Sequence, residues 1–453
     1  MSSAALPETI VAVATPPGKG AIAIIRASGP LVPQLAQRLV RTKSPLRPRE
    51  AAYAAIVDEL GEPLDRGVAL LFPAPQSYTG EDVLELQLHG SPVVAREAAR
   101  AMLACGARLA QPGEFTQRAF FNGKLGLHAA VAVADLVDAQ TRGAARAALA
   151  NFDSGVALEV RGVRESLAGI LEELAGAIDF PDEVAEPDRA SLQRRLEPLQ
   201  ARLARLARDG ELGRMLREGV GVAIVGPPNA GKSSLLNALL GSERAIVSEI
   251  PGTTRDTIEE SVAIDGVPVR LVDTAGIREH ADRIEASGIA RTHAALDAAA
   301  IALLVVDGSL PPGPDALSLL RRSASRPHVI FINKADLGTH EAFSAAPWRD
   351  AVVGSVREAG TLERLRAAVA IAGWSGERLD AARPHLAALH EIDAANAALA
   401  ALARAGGILD SGEPVDFAAT ELAHAFSALG HVSEQVAAEE VISGIFSRFC
   451  IGK

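Results

Sequence analysis

Apolar and polar positions along this chain fall into three regimes. In the first 121 residues, short alternating runs dominate. Residues 21–25, 53–57 and 68–72 read as strands, the last two on either side of a Gly61-Glu62-Pro63 turn. Val83-Leu84-Glu85-Leu86-Gln87-Leu88 alternates as a half-buried strand does. Residues 31–40 and 93–103 carry helical spacing. Three turn-rich segments interrupt these elements: Thr15-Pro16-Pro17-Gly18-Lys19-Gly20, Ser77-Tyr78-Thr79-Gly80-Glu81-Asp82 and Gln111-Pro112-Gly113-Glu114-Phe115-Thr116. From about residue 125 to 218, Val163, Leu167, Ile170, Leu171 and Leu174 sit at helical spacing, the mark of helices packed on one another. Asp179-Phe180-Pro181-Asp182-Glu183 breaks this region before a second long helix over residues 192–218. Residues 219–374 alternate short apolar strands (222–225, 261–264, 269–272, 301–306, 328–332, 351–353) with helices. Alanine-rich helices return over 384–405 and 417–429.

These regimes predict a multidomain protein. An α+β N-terminal domain (1–121) precedes an α-helical domain (122–218 and 377–453). An α/β domain (219–376) is inserted between the two helical parts, as domains with neighbouring termini allow. Strands interleaved with helices imply a doubly wound, mostly parallel sheet, and Asp265-Gly266 implies one antiparallel hairpin within it.

Composition narrows the class. A chain of 453 residues with 48% apolar and 22% charged residues fits two or three soluble globular domains. No run is long and apolar enough to suggest a membrane span, and the N-terminus lacks the pattern of a secretory signal, so a cytoplasmic protein is expected. Cys105 and Cys450 are too few for a disulfide framework or a four-cysteine zinc site. A net charge of −11 argues against a basic nucleic-acid coat, and 4% aromatics against a sheet of base-stacking rings. Much of any RNA binding would then fall to a partner.

The α/β region carries the chemistry. Gly226-Pro227-Pro228-Asn229-Ala230-Gly231-Lys232-Ser233 has the G-x-x-x-x-G-K-[ST] spacing between a strand and a helix. Its backbone N–H groups, from Asn229 through Ser234, can cradle phosphates. Lys232 can reach the outer phosphates and Ser233 can ligate Mg²⁺. Asp273-Thr274-Ala275-Gly276 follows a strand and supplies a carboxylate for the magnesium shell. Asn333-Lys334-Ala335-Asp336 follows another. Asp336 can accept the N1–H and 2-amino donors of guanine, which adenine lacks, so GTP is selected over ATP. Gly354-Ser355-Val356 falls where a further base-contacting loop is expected. Thr254, in Pro251-Gly252-Thr253-Thr254-Arg255-Asp256, is a second hydroxyl for Mg²⁺ and makes that segment a switch loop. Ile277 occupies the position where many GTPases carry a water-orienting glutamine. Either hydrolysis is very slow or another group orients water; Glu279, Asp282 and Glu285 are equal acidic candidates, with a monovalent cation or dimerisation as compensation.

With these residues in place, the whole chain resembles the tRNA-modification GTPase family MnmE (TrmE). The resemblance lies in Thr9-Ile10-Val11-Ala12, Tyr78-Thr79-Gly80-Glu81-Asp82, Pro112-Gly113-Glu114-Phe115-Thr116-Gln117-Arg118-Ala119-Phe120, Asp179-Phe180-Pro181 and the terminal Phe449-Cys450-Ile451-Gly452-Lys453. It implies a folate-binding, dimerising N-terminal domain and an FAD-dependent partner, MnmG, in a heterotetramer or larger complex. Together they add an aminomethyl-type group to C5 of wobble uridine in certain tRNAs. A tetrahydrofolate derivative, in its 5-formyl or 5,10-methylene form, supplies the carbon. By the same resemblance Arg26, Glu85, Lys124 and Lys453 contact folate. Asn229, Ser248, Ile250 and Thr253 ligate potassium, Ser248 and Thr253 also lying at the GTP site, and Glu285 orients water through another water. Cys450 serves the modification. The family's acidic and amide positions are missing from Leu125-Gly126-Leu127-His128-Ala129-Ala130-Val131-Ala132, which puts local helix capping, or a polar contact near the folate site, in question. The rival from another class is a GTP-dependent RNA-binding assembly switch without modification chemistry.

Overall fold

The computed structural model describes residues 8–152, 155–242, 260–273, 296–376, 385–386 and 388–430, together with 444, 446, 447, 449 and 452 near the C-terminus. They fall into two compact units, residues 1–134 with 433–453 and residues 135–432. The described residues near the C-terminus group with the first unit.

In the first unit the strands are β1 (Ile10–Val13), β2 (Ile22–Ser28), β3 (Val40–Arg41), β4 (Ala52–Val57), β5 (Pro63–Phe72), β6 (Val83–His89) and β7 (Arg108–Leu109). Their order in the sheet is β3-β4-β5-β6-β2-β1-β7. All pairs are antiparallel except β1 with β7. Alternation sets the two faces. Leu84, Leu86 and Leu88 of β6 are buried with Leu35 of α1 (Val32–Leu39) and Met102 of α2 (Pro92–Ala104). Each such leucine contributes about 2 kcal/mol by burial. Glu85 and Gln87 point to the opposite face, where Arg26 and Ile24 stand directly across from them.

The turn expected over residues 111–116 is instead the start of a helix, α3 (Glu114–Phe121), preceded by Gly113 at φ 69. At eight residues, entered through a left-handed glycine without a Ser or Asp cap, it carries little helical signature. α4 (Leu127–Asp138) begins without the family's acid: Ala130 N–H donates to Gly126 O at 2.9 Å, so the altered stretch still forms a helix.

The second unit opens with α5 (Arg142–Phe152), α6 (Gly155–Asp179) and α7 (Arg189–Glu218). Asp188 accepts the Ser191 N–H at 2.9 Å, which starts α7 three residues before the apolar pattern does. After the nucleotide region come α11 (Leu389–Ser411) and α12 (Val415–Gly430). Val163, Leu167 and Leu203 from before that region share one core with Leu402 and Leu422 from after it. α11 is long and apolar enough to cross a membrane, against the sequence expectation. Its Ile392, Ala398 and Leu402 are fully buried in this core, so its apolarity serves helix packing.

Between the helical parts lie β8 (Val220–Val225), α8 (Lys232–Ser242), β9 (Glu260–Ile264), β10 (Val267–Asp273), β11 (Ile301–Asp307), α9 (Pro314–Ser323), β12 (His328–Asn333), β13 (Val352–Val353) and α10 (Ala359–Trp374). The order is β13-β12-β11-β8-β10-β9, parallel except for β9 with β10. β8 is apolar on both faces because both are covered. Val222 and Ile224 pack with Leu235 of α8 and Leu365 of α10, while Ala223 and Val225 pack with Leu320 of α9.

Candidate functional site

The C-terminal ends of the parallel strands carry the nucleotide motifs, as an open α/β sheet requires. Gly226 leaves β8 against β11; a Cβ there would sit 2.1 Å from Val305 O. Gly231 adopts φ 99, and a Cβ there would lie 2.2 Å from Asn333 Nδ2. The loop thus passes where only glycine fits, and delivers the N-terminus of α8 at Lys232. Lys232 Nζ lies across the loop, donating to Gly226 O at 2.9 Å and Pro227 O at 2.8 Å. Ser233 and Ser234 are exposed on the first turn of the helix, and Asn229 is exposed at φ 60. The N-terminus of a helix, a lysine and two hydroxyls on one turn suit a magnesium-bound polyphosphate.

Asn333 connects this loop to the rest of the site. It is buried to 1% exposure. Its Nδ2 donates to Ala230 O at 2.9 Å, and its Oδ1 accepts the Val356 N–H at 3.2 Å. The adjoining backbone is knitted by Ala335 N–H to Gly354 O at 3.1 Å and Gly354 N–H to Ile332 O at 3.0 Å. Ser355 is buried. Lys334 takes a left-handed backbone at φ 62, and its ammonium lies 2.6 Å from Asp307 Oδ2. Burial opposes the Asp307 charge, but hydrogen bonds from Lys334 and Ser309 hold its carboxyl below the usual carboxylate range. Asp336 is exposed on the short turn that follows. Asp273 ends β10 opposite Ile224 of β8, beside the phosphate loop. Ser248, Ile250, Thr253, Thr254, Thr274, Ala275, Gly276, Ile277, Glu279, Asp282 and Glu285 lie outside the described residues.

A second polar site forms on the N-terminal sheet. Arg26 Nε donates to Glu85 Oε1 at 2.8 Å, across the paired β2 and β6. The guanidinium stands 5.9 Å from the Tyr78 ring and 5.7 Å from the Phe115 ring. Tyr78 Oη and Thr116 Oγ1 are hydrogen-bonded at 2.9 Å, and burial pushes the phenol pKa up. A cation held between two rings and a carboxylate, with one sheet face open beside it, suits a flat heterocycle with donors and acceptors on its edge. Lys124 donates to Pro75 O at 3.0 Å.

Behind Arg26 lies a charge network not assigned from the sequence. Arg118 donates to Glu81 Oε2 at 3.0 Å and Glu114 Oε1 at 2.9 Å, and Arg108 donates twice to Glu114. Burial alone would raise the Glu114 pKa. Hydrogen bonds from Arg108, the Gln111 N–H and Arg118 outweigh it and hold the group at about 2. Ser28 Oγ donates to Glu81 Oε2 at 2.7 Å, which ties β2 to the 77–82 loop. The signal available in the sequence was the Glu114 and Arg118 spacing of four, which a helix turns into neighbours. At the C-terminus, Phe446 and Phe449 pack with Ala130, and Gly452 lies against Val13 O, where a Cβ would be 2.9 Å away. Cys450 and Lys453 themselves lie outside the described residues.

Comparison with known proteins gives one consistent answer. The family profile described as "GTP-binding protein TrmE N-terminus" matches residues 9–124, and that of the "MnmE helical domain" matches residues 127–450. The tRNA modification GTPase MnmE of Akkermansia muciniphila is 40% identical over 462 residues, covering 98% of this chain and 99% of its own. Its namesake in Laribacter hongkongensis is 42% identical over 453 residues, covering 99% of each. That of Xanthomonas campestris pv. campestris is 43% identical over 458 residues, covering 99% of this chain and all of its own.

Proposed function

Because this chain belongs to the MnmE family of tRNA modification GTPases, we propose that its GTP hydrolysis is potassium-stimulated and serves the addition of an aminomethyl-type or carboxymethylaminomethyl group to C5 of wobble uridine. In this reading it works as a homodimer with the FAD-dependent partner MnmG and tRNA. The single observation that carries the nucleotide part is the Asn333 side chain, which joins the phosphate loop to the 354–356 loop. That bond fixes the spacing between phosphate-binding and base-reading segments.

In the proposed mechanism, Gly231, Lys232, Ser233 and Ser234 would hold the phosphates, and Ser233, Thr254 and Asp273 would hold Mg²⁺, which would supply positive charge beside them. Asp336 reads guanine. Ile277 cannot orient water, so Glu285 takes that role through a second water. Asn229, Ser248, Ile250 and Thr253 would hold K⁺ at a junction of two GTPase domains. Asn229 suits this, being exposed on the loop itself. The ion would supply positive charge where negative charge grows in the transition state.

The sheet face around Arg26 and Glu85 is the proposed tetrahydrofolate site. Glu85 would accept from the pterin edge, Arg26 would orient Glu85 and the ring, and Lys124 and Lys453 would offer cations to the anionic tail. The folate derivative would supply the one-carbon unit, and Cys450 would act in the transfer. The fit rests on the partly open Arg26–Glu85 pair, with side chains 23% and 17% exposed.

Hydrolysis measured in KCl and NaCl tests the reading. A faster rate in KCl, abolished in Asn229→Ala, is expected, with Glu285→Ala binding GTP but failing to hydrolyse it. Equal rates in both salts would overturn the cation mechanism. Unchanged wobble uridine in tRNA nucleosides from a deletion strain, read by mass spectrometry, would overturn the modification role.

A further inference from the structure

Lys334 sits between a buried residue tied to the phosphate loop, Asn333, and an exposed carboxylate, Asp336. Its ammonium lies 2.6 Å from Asp307 Oδ2, with side chains 31% and 18% exposed. Asp307 is the last residue of β11 and stands directly opposite Asn333 in the parallel pairing with β12. Its other oxygen accepts the Ser309 N–H at 3.0 Å and the Ser309 hydroxyl at 2.7 Å. The next residue, Gly308, donates its N–H to Asn333 O at 2.7 Å and accepts the His340 N–H at 2.8 Å. Both carboxylate oxygens and the backbone beneath them are thus fixed by the fold.

Without Asp307, the carboxylate closest to Lys334 in sequence is Asp336, two residues along the same short turn. An ammonium paired there would compete with guanine N1–H and the 2-amino group for the same acceptor oxygens. The four-carbon stem of Lys334 would also regain its rotamer freedom and cease to be a fixed apolar wall beside the turn.

We infer that Asp307 is a positioning residue for base selection: it sequesters the Lys334 ammonium, keeps the Asp336 carboxylate available to the guanine edge, and holds the Lys334 stem in one conformation. The inference rests on the guanine-nucleotide reading of Asn333-Lys334-Ala335-Asp336. It adds a residue outside the binding motifs that acts through a charge it withholds.

Nucleotide titrations of the full-length protein test it, with GTP and with inosine triphosphate, which lacks the 2-amino group. In Asp307→Asn, GTP affinity falls about tenfold, the size of one lost charge-assisted hydrogen bond. The preference for GTP over inosine triphosphate narrows by about threefold, since a paired Asp336 discriminates less well. Lys334→Met keeps the stem without the charge, and in that background Asp307→Asn changes affinity by less than about twofold, as non-additivity within one contact requires. Asp307→Glu, which retains the carboxylate, recovers most of the preference. An unchanged preference in Asp307→Asn overturns the inference, and so does an equal loss of affinity in the methionine background, which would mean that Asp307 acts only through the fold. Wild-type protein without preference for GTP over inosine triphosphate would overturn the guanine reading itself.

Discussion

Asn333 Nδ2 lies 2.9 Å from Ala230 O, a hydrogen bond between residues 103 positions apart that joins the end of one strand to the phosphate loop of another. The same side chain accepts the Val356 N–H. Truncation in Asn333→Ala leaves a carbonyl and an N–H unsatisfied, at about 1–3 kcal/mol each where buried. The expected outcome is loss of more than about tenfold in GTP affinity, together with a lower melting temperature, checked by nucleotide titration and calorimetry.

Gly231 is the stricter position. Its φ of 99 and the 2.2 Å approach of Asn333 Nδ2 leave no room for a methyl group. Gly231→Ala is expected to displace Asn333 and abolish tight GTP binding while the far-UV circular dichroism stays near wild type. Tight GTP binding by this variant would show that the loop opens away from Asn333.

Arg26→Ala removes the cation beside Glu85, Tyr78 and Phe115. If the sheet face is the folate site, binding of 5-formyltetrahydrofolate by calorimetry falls by at least about tenfold, while GTP hydrolysis by the same sample is retained. The conservative Arg26→Lys recovers little, because a lysine cannot reproduce the planar contact with two rings.

Acid stability offers a separate check on the Glu114 network. The folded-state pKa of about 2 lies below the ordinary value of 4.5. The unfolded chain therefore binds the proton first as pH falls. The stabilisation is fully present above about pH 4.5 and is lost progressively toward pH 2, a contribution on the order of 2–3 kcal/mol. Glu114→Gln is expected to lower stability at neutral pH and to flatten the melting temperature between pH 4.5 and 2. An acid limb as steep as that of the wild type would assign the loss to other carboxylates.

Local rules made much of this protein legible. The spacing of Gly226 and Gly231, the strand before them and the helix after them require only short-range geometry, so the phosphate loop was readable. The alternation of β8, β11 and β12 with helices announced a doubly wound, mostly parallel sheet, and Asp265-Gly266 announced its antiparallel hairpin. The alternation in β6 sorted its buried leucines from Glu85 and Gln87 before any partner was known.

What the sequence by itself determined was therefore the kind of each long element, the order of the nucleotide motifs and the class of ligand they suit. These depend on residues within one strand or one turn of helix. Which distant side chains meet was decided only in the tertiary structure: Arg26 with Glu85, Lys334 with Asp307, Asn333 with Ala230, and Gly452 with Val13. Those pairs are set by strand register and by how the chain ends pack, and a shift of one residue in register would turn each strand partner to the opposite face. The helix α3 belongs with them, because its start at Gly113 is fitted against Phe446 from the far end of the chain.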